Sequence, residues 1–201
     1  GQVDGATVAA SLTWRPGSRP SLRGTLRVDQ LALDPWLPEA WPGLVAASAG
    51  FGALTLDLKL DAAQVAWRGA SLAGLALELA AEPGRVAVRR LEMRALGATI
   101  AASGVLLDGG RLAETRAELR TERASPLAPL LAGALGPATV EQLAPLLRGA
   151  ALVQLQANGP PAALALKLSA ELGDLRLEAA PTLDLPAGRW AGALTLRHPG
   201  A

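Results

Sequence analysis

Leu54, Leu56, Leu58 and Leu60 alternate strictly with Thr55, Asp57, Lys59 and Asp61. A period of two sends successive side chains to opposite faces of a β-strand, so this stretch predicts a strand with one oily face and one wetted face. The same alternation recurs over residues 21–34, 72–80, 84–96, 98–107 and 115–122, and resumes over 151–159, 163–172, 174–179 and 191–198. Within 21–34 the parity changes, with Leu22, Leu26 and Val28 on one register and Leu31 and Leu33 on the other, which predicts a bulge or bend near Asp29 and Gln30. Glu82-Pro83-Gly84 and Asp108-Gly109-Gly110 are turn sequences that join neighbouring strands. Together these signals predict a mainly β fold, an antiparallel meander and not a series of βαβ units.

Residues 125–148 break the alternation. Ser125 followed by Pro126 is a helix cap and first turn, and Gly136-Pro137 opens a second leucine-rich stretch that runs towards Gly149, so two short helices are expected there. A smaller version, Asp34 before Pro35, predicts a helical turn near 35–40. These interruptions share a faint repeat: 26–38 (LRVDQLALDPWLP) and 119–131 (LRTERASPLAPLL) each run from strand through Leu-Arg and an acid to a Pro-started, leucine-rich turn. Repeats of this kind predict an elongated sheet with helical covers, in which each unit buries its face against its neighbours. The expected organisation is one β segment over 1–201, with a first strand run at 1–124, a helical insert at 125–148 and a second strand run at 149–201.

Composition narrows the chemistry. Half of the 201 residues are hydrophobic, 18% are charged, and the net charge is +1, which gives no basic footprint for nucleic acid. With no Cys, disulfides, thiol nucleophiles and thiolate metal sites are excluded. Charged residues or prolines interrupt every apolar run before it reaches bilayer-spanning length. The chain starts GQVDGATV, in strand-like sequence without Met or a signal peptide, and it is expected to be a segment of a longer protein.

Catalysis requires convergent polar groups, and few can be assembled. The single His, His198, stands before Pro199-Gly200 near the end and reads as a surface residue, so neither a Ser-His-Asp set nor a zinc site emerges. Asp57 and Asp61 share a face but lie roughly 13 Å apart on an ideal strand, with Lys59 between them, which favours a solvated charge ladder over a metal pair. Glu171, Asp174 and Glu178 read as outward residues around a turn. Of the five Trp, Trp36 and Trp41 flank the Pro35 turn, and Trp14, Trp67 and Trp190 sit near strand ends where a ring can close an edge. No phosphate loop or dinucleotide fingerprint is present. Neither an enzyme nor a cofactor is expected.

What remains is the apolar face. Aromatics are 3% of the chain, so the face is built from Leu, Val and Ala with little to plug its middle. Such a surface can accept acyl chains, because apolar transfer is non-directional and favourable by about 0.8 kcal/mol per methylene. The candidate lipid-binding residues are Leu54, Leu56, Leu58 and Leu60 in the first stretch, and Leu75, Leu77 and Leu79 in the next. Val86 and Val88 follow, and Leu164, Leu166 and Leu168 complete the set from the second strand run.

Residues 23–38 (RGTLRVDQLALDPWLP), followed by 65–106 with Gly69, Gly74, Gly84, Gly97 and Gly104 at spaced positions, resemble the AsmA-like proteins of Gram-negative bacteria, and the resemblance spans about 21–177. It implies a curved antiparallel sheet forming an elongated, taco-like groove that conducts phospholipid acyl chains between inner and outer membrane and supports outer-membrane assembly. It further implies a periplasmic location, an inner-membrane anchor in a part of the parent protein absent here, and envelope proteins as further partners. The alternative is a scaffolding β module of the envelope with a fully packed core and protein partners only.

Overall fold

The computed structural model describes residues 2–3, 6–32, 54–67, 70–128, 141 and 148–197. Its strands are β1 (Gln2–Val3), β2 (Ala6–Arg15), β3 (Ser21–Ala32), β4 (Thr55–Trp67), β5 (Ala70–Glu82), β6 (Arg85–Ala95) and β7 (Ala98–Leu107). The second half continues with β8 (Arg111–Thr121), β9 (Ala151–Gly159), β10 (Leu164–Leu172), β11 (Leu175–Ala179), β12 (Thr182–Asp184), β13 (Arg189–Ala191) and β14 (Leu194–Arg197). The strands from β2 onwards form one mixed sheet of 13, to whose edge β1 adds, for 14 in all. Its main path follows chain order from β1 to β11 and ends on β14, while β12 and β13 branch from the other half of β10.

The alternation places these strands closely. The range 98–107 coincides with β7 and 151–159 with β9, and the predicted Pro83-Gly84 turn closes the β5–β6 hairpin, with Glu82 opposite Arg85. Gly84 holds φ 76° there, a left-handed conformation that costs glycine nothing. The bend expected near Asp29 is present and wider than the sequence implied. Val28 faces Ala62 and Gln30 faces Gln64 on β4, while Ala62 faces Leu75 and Gln64 faces Ala73 on β5, so Asp29, Ala63 and Gly74 are passed over side by side in three adjacent strands. Gly74, at φ 73°, absorbs the left-handed step on β5. The crease returns Leu31 to the face of Val28. Both join a core cluster in which Val28, Ala62, Val65, Leu72, Leu75 and Ala95 are buried and Leu31 packs against them.

Two expectations require correction. The sheet is not purely antiparallel, because β3 and β4 run parallel over eleven residue pairings from Ser21 with Thr55 to Ala32 with Ala66. Alternation fixes which face a side chain takes but not the direction of the neighbouring strand. The long connection between these strands has the length that a parallel crossover requires. Nor is the sheet strongly curved into a groove: it is not strongly curled. Its local irregularities, at Gly74 on β5, between Val88 and Leu91 on β6 and at Glu114 on β8, bend individual strands without rolling the whole.

Of the helices expected at 125–148, the described residues show a 3-10 turn at Ser125–Leu127, capped by Ala124 and not by the Ser125 side chain as expected, with Pro126 in its first turn, and helical conformation at Ala128 and Glu141; residues 129–140 and 142–147 lie outside them. The helical turn near 35–40 also lies outside the described residues. The insert leaves and rejoins the sheet at one point, where the Ala124 N–H donates to the Gly149 carbonyl at 3.0 Å, and β8 pairs directly with β9. The two strand runs therefore belong to a single sheet.

Candidate functional site: one continuous apolar face

The strand registers convert the sequence pattern into rows. From β2 to β14, Ala10, Leu26, Leu60, Leu77, Leu91, Ala102, Ala117, Leu155, Leu168, Ala179 and Leu194 stand opposite one another in succession. A second row runs Val8, Val28, Ala62, Leu75, Met93, Ile100, Leu119, Val153, Ala170, Leu177 and Leu196. Neither row contains a polar side chain. At the usual spacing between strands, each extends about 50 Å across the sheet.

The residues singled out from the sequence fall on this face. Leu56, Leu58 and Leu60 lie opposite Ala81, Leu79 and Leu77, Leu75 lies opposite Ala62, and Val86 and Val88 continue the rows opposite Ala81 and Leu79. Leu54 precedes β4 in the same alternation and is half-buried. Leu166 and Leu168 join the face on β10, four strands beyond β6, and Leu164 packs at its branch opposite Leu183. Leu56, Leu75 and Leu164 are buried, at 5%, 7% and 6% exposure, whereas Leu58, Leu60, Leu77, Leu79, Val86, Val88, Leu166 and Leu168 stay half-buried. Sequence reasoning selected three patches and missed the residues joining them, chiefly Leu91, Met93, Ile100, Leu119, Val153 and Leu155. The signal was there, since each occupies the apolar parity of a strand already legible from alternation.

The reverse face is charged and internally paired. Lys59 reaches Glu78 at 3.2 Å, Arg27 reaches Asp61 at 3.8 Å, and Asp57 receives Arg23 at 3.3 Å and Arg89 at 3.2 Å. The Asp57-Lys59-Asp61 ladder is therefore neutralised by opposite charges on neighbouring strands, arginines for the two aspartates and Glu78 for Lys59. Arg90 holds Glu92 through two hydrogen bonds of 2.9 and 2.7 Å, lowering the Glu92 carboxyl and raising the guanidinium. Asp184 is lowered by its bond from Arg189 and by the Ala187 N–H. Shallow hollows lie on this face, one of them at the crease among Arg27, Asp29, Asp61, Glu92, Arg94 and Thr99.

Among the described residues no cluster of His, Asp and Glu has the makings of a metal site, and no helix is long and apolar enough to cross a membrane. Trp14 on β2 and Trp190 on β13 stand at sheet edges, 54% and 68% exposed, while His198, Trp36 and Trp41 lie outside the described residues. Comparison with protein-family models, curated proteins and solved structures returned no match.

Proposed function

We propose that the apolar face is a lipid-handling surface of the bacterial envelope, a segment along which phospholipid acyl chains lie against leucine and valine while head groups remain in water. The observation that carries this reading is the pair of unbroken apolar rows, most of whose larger side chains remain half-buried although they stand in the middle of a wide sheet. Two rows of this extent, with no aromatic side chain in either, offer acyl chains many equivalent contacts, as a conduit requires. In this reading the parent protein is anchored in the inner membrane and extends into the periplasm.

A second reading is favoured by the burial of Leu56, Leu75 and Leu164: a scaffold whose face is closed by protein and takes no lipid. Mass spectrometry of lipids co-purifying with the protein separates the two. Retained phospholipid, displaced by competing detergent in proportion to its acyl length, supports the conduit. Protein that emerges free of lipid and takes up none from phospholipid vesicles supports the scaffold.

A further inference from the structure

Because β3 and β4 run parallel, the chain between them must return from the end of β3 to the start of β4 across one face of the sheet. Residues 33–53 make that return and lie outside the described residues, but the two strands they join determine the face. The Thr55 N–H donates to the Pro20 carbonyl at 3.0 Å, and Thr55 is paired with Ser21, so the even-numbered backbone groups of β3 point towards β4. The even-numbered side chains Leu22, Leu26 and Val28 carry the apolar face there. In an upward-running strand of L-residues, a residue whose side chain points at the observer turns its own N–H and C=O to the observer's right. Seen from the apolar face, β4 therefore lies to the right of β3. A right-handed crossover, the hand taken in about 98% of parallel connections, then passes over the apolar face and not over the charged one.

Burial points the same way by a separate route. Val65 and Leu72 face each other at the end of the sheet where β3 stops, and they are 1% and 2% exposed, while Gln64, Ala66 and Ala73 beside them on the reverse face are exposed. Strand neighbours alone do not bury a side chain on this face so deeply, since Leu60 and Leu77, flanked by strands on both sides, stay half-buried. Where the chain rejoins the sheet at Thr55, Leu56 and Ala81 are again buried. We propose that residues 33–53 (LDPWLPEAWPGLVAASAGFGA) dock on the apolar face over β4 and β5, against Val65 and Leu72 at one end and Leu56 and Ala81 at the other. The segment suits that place, with Asp34 and Glu39 as its only charges and with Trp36, Trp41 and Phe51 to supply the aromatic side chains that the apolar rows lack. It is also long enough: the return along β4 covers about 36 Å, and a chain of this length extends to about 70 Å. The docking stands whether the rest of the face takes lipid or protein. Where it takes lipid, acyl chains are left the half-buried middle of the face and the strands from β6 onwards.

Photo-cross-linking within the full chain tests the docking without deleting anything. Photo-leucine, a diazirine analogue close to leucine in size, is placed at Leu72 on the apolar face and, in a second protein, at Ala73 on the reverse face. After irradiation, peptide mapping by mass spectrometry is expected to join position 72 to residues 33–53, whereas position 73 yields no link to that segment. Links from position 73 to residues 33–53 would place the return on the charged face and overturn the proposal. Products from position 72 confined to its sheet neighbours, to other parts of the chain or to co-purified lipid overturn it equally, because something other than this segment then buries Val65 and Leu72. Circular dichroism matched to the unmodified chain confirms that both proteins keep the sheet.

Discussion

Arg89 on β6 reaches across the intervening strand β5 to Asp57 on β4, with Nη1 3.2 Å from Oδ1. The residue it crosses is Ala80, which faces Asp57 on one side and Ala87 on the other, and both alanines are buried beneath the long side chains above them. The charged face is thus a layer of side chains over small residues, and the apolar face does the packing. The two faces therefore differ in what they contribute to stability.

Adjacent residues on β4 expose that difference. Leu56→Asp places a carboxylate at a 5% exposed site and is expected to cost about 3 kcal/mol or more, enough to threaten folding. Asp57→Leu removes two partly exposed ion pairs, worth less than about 1 kcal/mol each, and is expected to leave the fold intact. Urea denaturation of both variants checks the assignment. Equal destabilisation would mean that β4 does not divide its faces as described.

Gly104 on β7 stands close against Thr115 on β8. A Cβ built there would lie 2.6 Å from Thr115 Oγ1 and 3.0 Å from the Thr115 Cα, beside the irregularity at which Glu114 takes φ 53° and donates its N–H to Asn158 Oδ1 at 2.8 Å. Gly104→Ala should therefore lower stability by about 1–3 kcal/mol through overpacking. An unchanged melting temperature would show that β8 can withdraw from β7 without cost.

Much of this architecture was legible in the sequence, and the limits follow from the nature of the signal. Alternation reports a residue's face and a turn reports a strand's end, so the boundaries of β7 and β9 and the hairpin at Pro83-Gly84 could be placed. The parity change after Val28 even located the crease. The parallel pairing of β3 with β4 could not be read, because the same alternation satisfies a neighbour running either way. Curvature was equally hidden, since it depends on the summed twist of many strands and not on any one of them. The apolar face was recognised from Leu54, Leu56, Leu58 and Leu60. Its continuity through Leu91, Ile100, Leu119 and Leu155 became visible only once the registers aligned them.

Acid exposes the ion pairs of the branch. The Asp184 carboxyl is held below its ordinary range by Arg189 and by the Ala187 N–H, so its contribution to stability is present above the unfolded carboxylate pKa of about 3.9 and is lost as pH falls through the lower folded value. Asp184→Asn retains an acceptor for Ala187 but cannot titrate. Its stability should fall less than that of the unmodified chain between neutral pH and pH about 3. Parallel losses in the two proteins, followed by thermal melts at matched ionic strength, would show that the Arg189 pair contributes nothing in solution.

The conduit reading makes its sharpest demand on Leu58 and Leu77, which stand half-buried in neighbouring rows of the face. A surface that holds acyl chains at many equivalent places loses little when one leucine is shortened, because truncation to Ala removes only a few methylenes of contact, each worth about 0.8 kcal/mol. A carboxylate at the same place must stay hydrated and leaves the chain no dry path past it. Leu58→Ala and Leu77→Ala should therefore retain most of the co-purifying phospholipid, while Leu58→Asp and Leu77→Asp should lose it. The comparison is made on variants whose circular dichroism matches the unmodified protein, so that loss of lipid is separated from loss of fold. If folded Asp variants retain lipid as fully as the Ala variants, acyl chains do not travel over this part of the sheet, and the leucine face serves protein packing instead.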